Sequence, residues 1–282
     1  MPSFTHEGRQ ISYREFGAGP RACVLIHGLL FSKRMHERLA ADLAGSGNRV
    51  ITIDLLGHGA SDRPTDMRLY SMGAFAQQVL GLLDHLGIDR AVIAGTSLGA
   101  NTALEVCSAA PQRVQGMVIE MPVLDNALLA SAVAFTPLMV GLTFGEPVMK
   151  LVQGAARLVP SRGMPFLADL VLDTLRQDPA PSAAVLQGLF FARVAPPSTE
   201  RRTFTPPALV IGHRRDPVHP FSDAGMLVKE LQDARLMEAD SLLELRMAPD
   251  RLTDEIAGFL DACWTSGKRR KQAGSPATVS AR

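Results

Sequence analysis

The chain has 282 residues, 46% of them hydrophobic and 20% charged, enough apolar material for one large domain with an inserted subdomain. Its formal net charge of +1 creates no global field for nucleic acid or an anionic membrane, and aromatics at 5% are too sparse for base-stacking surfaces. The three cysteines, Cys23, Cys107 and Cys263, lack metal-ligand spacing and read as buried reduced thiols, so a cytoplasmic chain with no metal and no cofactor is expected.

The first residues, MPSFTHEGRQ, are polar and lack the charged-then-apolar pattern of a signal segment. Residues 10–16 alternate loosely and end in Gly17-Ala18-Gly19-Pro20, a hairpin-type turn. The run ACVLI at 22–26 is apolar throughout, as a buried strand is. A helical spacing over 35–43 stops at Gly45-Ser46-Gly47, and 49–53 is the next strand. Residues 72–86 predict a helix closed by Gly87. Then come a strand at 91–94, a helix at 100–110 ended by Pro111, and a strand at 115–119. After a break, strands at 207–211 and 235–238 and helices at 222–231 and 252–263 restore the order. Apolar strands alternating with helices predict an α/β fold with a mostly parallel sheet covered on both faces.

The break, residues 123–203, is helical, apolar and rich in proline and glycine, and reads as an inserted lid. Residues 126–145 carry no charge, but Pro137 and Gly141 interrupt them. That predicts helices buried in the lid; a membrane contact is not expected. The chain thus divides into a core (1–122 and 204–266), the lid, and a tail from 267 to 282. The tail is basic, then small and polar, and is expected to be disordered.

Three segments carry chemistry. Gly95-Thr96-Ser97-Leu98-Gly99 lies between an apolar strand and a helix, the context of a tight elbow that exposes a serine. The turn puts the Leu98 N–H near Ser97 Oγ, at a helix N-terminus that favours negative charge. Upstream, VLIHGLLFS ends a strand at His27-Gly28, where the N–H of Leu29 can supply a second donor to an oxyanion. The next strand ends IDLLGHGASDRP, with Asp54 closing it and His58 in the turn that follows.

His-Gly, Asp-x-x-Gly-His-Gly-x-Ser-Asp and Gly-x-Ser-x-Gly after three successive strands resemble the α/β-hydrolase fold superfamily, over nearly the whole chain except lid and tail. Within it the chain is similar to the lidded esterase, C–C hydrolase and haloperoxidase-like group. The resemblance implies the α/β-hydrolase fold, Ser97 as nucleophile and the Leu29 and Leu98 amides as the oxyanion hole. It also implies an acid after a late strand, matched by Asp216 in PALVIGHRRDPVHP. A serine at the elbow argues against the carboxylate nucleophiles of dehalogenases and epoxide hydrolases.

The chain departs from that pattern at one place. Members carry Gly-His after the last strand, whereas here Ser241-Leu242 stands there and no histidine follows His219. Asp240 is an alternative base, but a carboxylate is a weak one unless burial raises its pKa. Of the seven histidines, His6 and His36 read as surface residues, His85 as a helix-end residue and His27 as structural. His58 is an alternative base, better explained as bracing its loop. His219 is the favoured base, three residues past Asp216 and stiffened by Pro217 and Pro220. Glu120, ending its strand, competes with Asp216 as the acid that orients a histidine.

The reading is a serine-dependent hydrolase of a small lipophilic ester or acyl substrate. A binding or scaffold protein without turnover competes with it, as does a lyase or cyclase that uses the same pocket without activating water. Nothing in the sequence speaks to oligomeric state.

Overall fold

The computed structural model describes residues 2–161 and 163–273. In chain order its core elements are β1 (Ser3–His6), β2 (Arg9–Phe16), β3 (Ala22–Ile26), α1 (Glu37–Gly45), β4 (Arg49–Ile53), α2 (Met72–His85), β5 (Ala91–Thr96), α3 (Leu98–Ala109) and β6 (Val114–Glu120). Five helices follow: α4 (Leu128–Phe144), α5 (Glu146–Leu158), α6 (Phe166–Leu175), α7 (Pro179–Phe191) and α8 (Ser198–Arg201). The core resumes with β7 (Ala208–His213), α9 (Phe221–Glu230), β8 (Ala234–Ala239), α10 (Glu244–Met247) and α11 (Asp250–Ala273). The strands form one eight-stranded sheet in the order β1-β2-β4-β3-β5-β6-β7-β8. β1 and β2 are antiparallel to their neighbours, and the other pairings are parallel. The polar leader therefore supplies an edge strand, β1, that the sequence pattern did not predict.

Each central strand feeds both faces, because successive side chains point to opposite sides. From β3, Ala22, Val24 and Ile26 join the cluster under α2 and α3, while Cys23 and Leu25 join the one under α1 and α11. That is why β3, β5 and β6 are apolar without alternation. All three cysteines are free and buried, and burial pushes the Cys107 and Cys263 thiols up to about 12.

Between β6 and β7 the five insert helices are fastened to the core by two buried polar residues. Asn101 Nδ2 on α3 donates to the Val123 carbonyl (2.7 Å) and the Val194 carbonyl (2.8 Å), at the two ends of the insert. Asp223 on α9 accepts from the amides of Leu124 (2.7 Å), Asn126 (3.1 Å) and Ala127 (3.1 Å).

The charge-free stretch differs from expectation in two ways. α4 runs through Pro137 as one helix, and it is not buried: of its side chains only Leu142 is fully enclosed, while Leu129, Val133 and Phe144 are exposed. α5 turns its apolar residues Val148, Leu151, Val152 and Leu158 outward and buries Gln153 and Ala156. Among the described residues no single helix is long and apolar enough to cross a membrane. At the C-terminus α11 extends to Ala273, past the predicted end at 263, through residues such as Lys, Arg and Gln that favour helix. The tail was expected to be disordered from 267; residues 274–282 lie outside the described residues.

Candidate active site

The serine sits where sequence and backbone agree. β5 ends at Thr96, α3 begins at Leu98, and Ser97 between them has φ 54°, a left-handed value costly for a residue with a Cβ. The two glycines of the motif are steric requirements. A Cβ on Gly95 would lie 2.2 Å from the Gly99 carbonyl carbon, and one on Gly99 would lie 2.2 Å from the Ile26 carbonyl oxygen. The strained turn is held by the Ser97 N–H, which donates to the Glu120 carbonyl at 2.9 Å.

The loop after β7 brings the other two candidates to the serine. Ser97 Oγ and His219 Nε2 are 2.8 Å apart, and His219 Nδ1 lies 2.8 Å from Asp216 Oδ2. The second carboxylate oxygen, Oδ1, accepts from the amides of Val218 (2.8 Å) and His219 (2.9 Å). The carboxylate thus organises its own loop while it orients the ring. A ring that donates Nδ1–H to Asp216 presents a bare Nε2 to the serine hydroxyl. Burial alone would raise the Asp216 pKa, but the hydrogen bond and charge of His219 and the two amides hold it below the usual value. Asp216 and His219 therefore come from one loop, three residues apart.

A family model described as alpha/beta hydrolase fold matches residues 22–220, from β3 to the end of that loop. This chain belongs to the alpha/beta hydrolase fold family. Among relatives, a 2-hydroxymuconate semialdehyde hydrolase of Pseudomonas putida is 41% identical over 71 residues, 25% of this chain and 25% of that one. A sn-1-specific diacylglycerol lipase of Mus musculus is 36% identical over 99 residues, 35% of this chain and 31% of that one. The chain thus spans well under half the length of these curated relatives. The solved enol-lactonase from Burkholderia xenovorans LB400 has a TM-score of 0.75 and 23% identity, covering 92% of this chain and 100% of that one. That likeness is one of fold.

In this α/β-hydrolase-fold chain the remaining candidates fall as follows. Leu98 is the first residue of α3, so its N–H has no partner within the helix. Leu29 follows the β3 strand end, next to Leu30 at φ 63°. Among the described residues neither amide has a backbone acceptor. His27, fully buried, donates Nδ1–H to the Gly28 carbonyl (2.8 Å) and accepts from the Leu55 amide at Nε2 (3.1 Å), tying the Leu29 loop to the end of β4.

The alternatives lie in other surroundings. His58 is buried, donates Nδ1–H to the Leu56 carbonyl (3.0 Å) and packs with its ring centroid 4.7 Å from that of His27. Desolvation keeps it well below the ordinary histidine value, so it braces its turn as a neutral ring. The Asp240 side chain is 80% exposed beside Arg251, so the burial that would strengthen a carboxylate base is absent. Among the described residues Glu120 makes no hydrogen bond or ion pair with His219, whose side-chain partners are Ser97 and Asp216. It accepts from Thr96 Oγ1 and from both terminal nitrogens of Arg246. Burial would raise its pKa, but the Arg246 charge, the nearby His213 ring and the hydrogen bonds from Arg246 and Thr96 bring it below the usual carboxylate range.

Two features escaped the sequence pattern. His36, expected on the surface, is buried with Nε2 donating to the Ile26 carbonyl (3.1 Å), and burial pushes it down to about 3. Lys33 is buried too, bonded to Asp54 at the base of the His58 turn. Among the described residues no cluster of His, Cys, Asp and Glu could hold a metal ion. A cavity of about 540 Å³ lies at the opposite edge of the sheet from Ser97, lined by Arg21, Arg49, Arg90, Gln115 and Trp264 near the starts of β3 to β6.

Proposed function

We propose that the protein is a serine hydrolase of apolar ester or acyl substrates. The observation that carries this reading is the unbroken chain from Ser97 Oγ through His219 to Asp216, with both links at 2.8 Å. His219 takes the hydroxyl proton as Ser97 attacks the acyl carbon, and Asp216 stabilises the imidazolium that forms. The amides of Leu29 and Leu98 receive the oxyanion, the latter aided by the N-terminal end of α3. His219 then protonates the leaving group. Water, activated by the same ring, releases the acyl group from Ser97.

The substrate class rests on the insert, which acts as the lid. Phe135, Met139, Leu142 and Leu186 pack with Leu29 and Leu30, so the cover over the oxyanion loop is hydrocarbon. The diacylglycerol lipase among the relatives acts on such a substrate. An intact relay disfavours the scaffold reading, which rested on the missing histidine after β8.

A fluorophosphonate probe tests the reading. Wild-type protein should label, Ser97→Ala should not, and turnover of p-nitrophenyl esters should vanish with the label. Protein that neither labels nor turns over any ester returns the scaffold reading to first place.

A further inference from the structure

Three ionisable side chains beside the serine have no part in the relay: Glu120, Arg246 and His213, all buried. Arg246, on α10, donates from Nη2 to Glu120 Oε2 (2.7 Å) and Thr96 Oγ1 (2.8 Å), with Nη1 3.4 Å from Glu120 Oε1. Thr96 Oγ1 in turn donates to Glu120 Oε2 at 2.5 Å. His213, at the end of β7, has Nε2 3.5 Å from Glu120 Oε1 and Nδ1 2.9 Å from the Ser241 carbonyl. The network therefore gathers the ends of β5, β6 and β7 and the segment after β8.

Two of its members touch the nucleophile through the backbone. Thr96 is the residue before Ser97, and the Glu120 carbonyl is the acceptor of the Ser97 N–H. Both positions adjoin strain: Ser97 has φ 54° and Met121, next to Glu120, has φ 55°. Such backbone persists only where its surroundings over-determine it. A buried ion pair is a poor source of stability, because desolvating both charges offsets their attraction. What it supplies well is geometry. The planar fork of an arginine engages a carboxylate and a hydroxyl at once in fixed directions, which the point charge of a lysine does not.

We propose that Arg246 is a positioning residue: through Glu120 and Thr96 it holds the Ser97 elbow at the angle from which the hydroxyl meets His219. The proposal rests on the serine-hydrolase reading of Ser97. It also gives the segment after β8 a role. Where a catalytic histidine was expected, the chain delivers a buried cation, and the Glu120 carboxylate is committed to that cation, leaving Asp216 alone to orient the base. Without Arg246, Glu120 is an uncompensated buried carboxylate. It takes up a proton or draws in water, its bond to Thr96 is remade, and the elbow relaxes.

The test uses Arg246→Met, Arg246→Lys and the double variant Glu120→Leu/Arg246→Met. Readouts are melting temperature, the second-order rate of fluorophosphonate labelling, and kcat and KM on p-nitrophenyl butyrate. Arg246→Met should lose about 10²-fold in labelling rate and kcat, the scale of a small misplacement of a reacting group, with KM little changed. Arg246→Lys, which keeps the charge but not the fork, should fold and still label about tenfold slower than wild type. The double variant replaces the ion pair with apolar groups and should recover the melting temperature but not the labelling rate. Stability and labelling returning together in the double variant would mean the pair is merely structural and overturn the proposal. So would a wild-type labelling rate in Arg246→Lys, the deciding variant if the others do not fold. Wild-type protein that fails to label removes the hydrolase reading and this inference together. Wild-type protein that labels alongside an equally reactive Arg246→Met removes only the inference.

Discussion

The central sheet and the helical insert are both written in apolar residues, and they spend them in opposite directions. All five residues of β3 are buried, as are all six of β5. α4 has no charged side chain in 17 residues, yet encloses only Leu142. α5 is amphipathic with its stripe turned to the outside: Leu151 is 75% exposed while Gln153 is buried, its Nε2 donating to the Arg176 carbonyl. The strands are buried because a parallel sheet has helices on both faces, whatever those helices contain. The insert helices have a core on one side only. Periodicity says that a helix has an apolar face but not where that face points.

The sharpest way to break this comparison is by truncation in each region. Leu25→Ala, in the sheet, should cost about 2–5 kcal/mol of unfolding free energy through lost burial and a residual cavity. Leu151→Ser, in the insert, should stay within about 0.5 kcal/mol of wild type, because that side chain is exposed already. Denaturant unfolding measures both. A comparable loss in Leu151→Ser would show that the outer face of the insert is covered in solution.

Next in size is the relay, which joins loops of the sheet only. His219→Ala should lower kcat about 10²-fold or more with little change in melting temperature, as for a lost general base. His58→Asn should move stability rather than kcat. An unchanged kcat in His219→Ala would remove it from the mechanism.

The insert contains no histidine, so the acid sensitivity that comes from histidines belongs to the sheet. Burial holds His27 and His58 below the ordinary value and His36 down to about 3. In the unfolded chain these rings protonate below about 6.5. Between that value and their folded values the unfolded state binds more protons. Stability is therefore complete above about pH 6.5 and lost as pH falls, by about 1.4 kcal/mol per pH unit for each ring that stays neutral. Unfolding curves at pH 7 and pH 5 check this, and His36→Asn should flatten the slope. A slope unaltered in that variant would place His36 in water.

The smallest effect sharpens the role of the insert's inner face. From acetyl to octanoyl p-nitrophenyl esters, kcat/KM should rise by at most about 0.8 kcal/mol per methylene. Met139→Ala should flatten the rise while leaving the acetyl ester little affected. A flat or falling series in wild type would remove the lipophilic-substrate reading.

Much of the molecule was legible because the constraints that build it act between near neighbours. The elbow needs small residues at 95 and 99, where backbones meet at distances no side chain tolerates, so the motif and its geometry are one fact. His219 could be picked as the candidate base because a two-proline turn places it beside Asp216 and no later histidine competes. Strands apolar throughout announced a covered parallel sheet. The burial of charged and titratable groups was not legible, because it depends on partners far away in the chain. Arg246 meets Glu120 across 126 positions, Lys33 meets Asp54 across 21, and His36 is enclosed by its bond to Ile26 and the helices around it. A lone arginine in a helical segment looks the same whether it faces water or an ion pair. The sequence by itself determined the local backbone, the serine's turn and the pairing of Asp216 with His219 in one loop. Only the tertiary structure decided which polar side chains were taken out of water and which apolar ones were left in it, because desolvation is settled by what packs against a group from all sides.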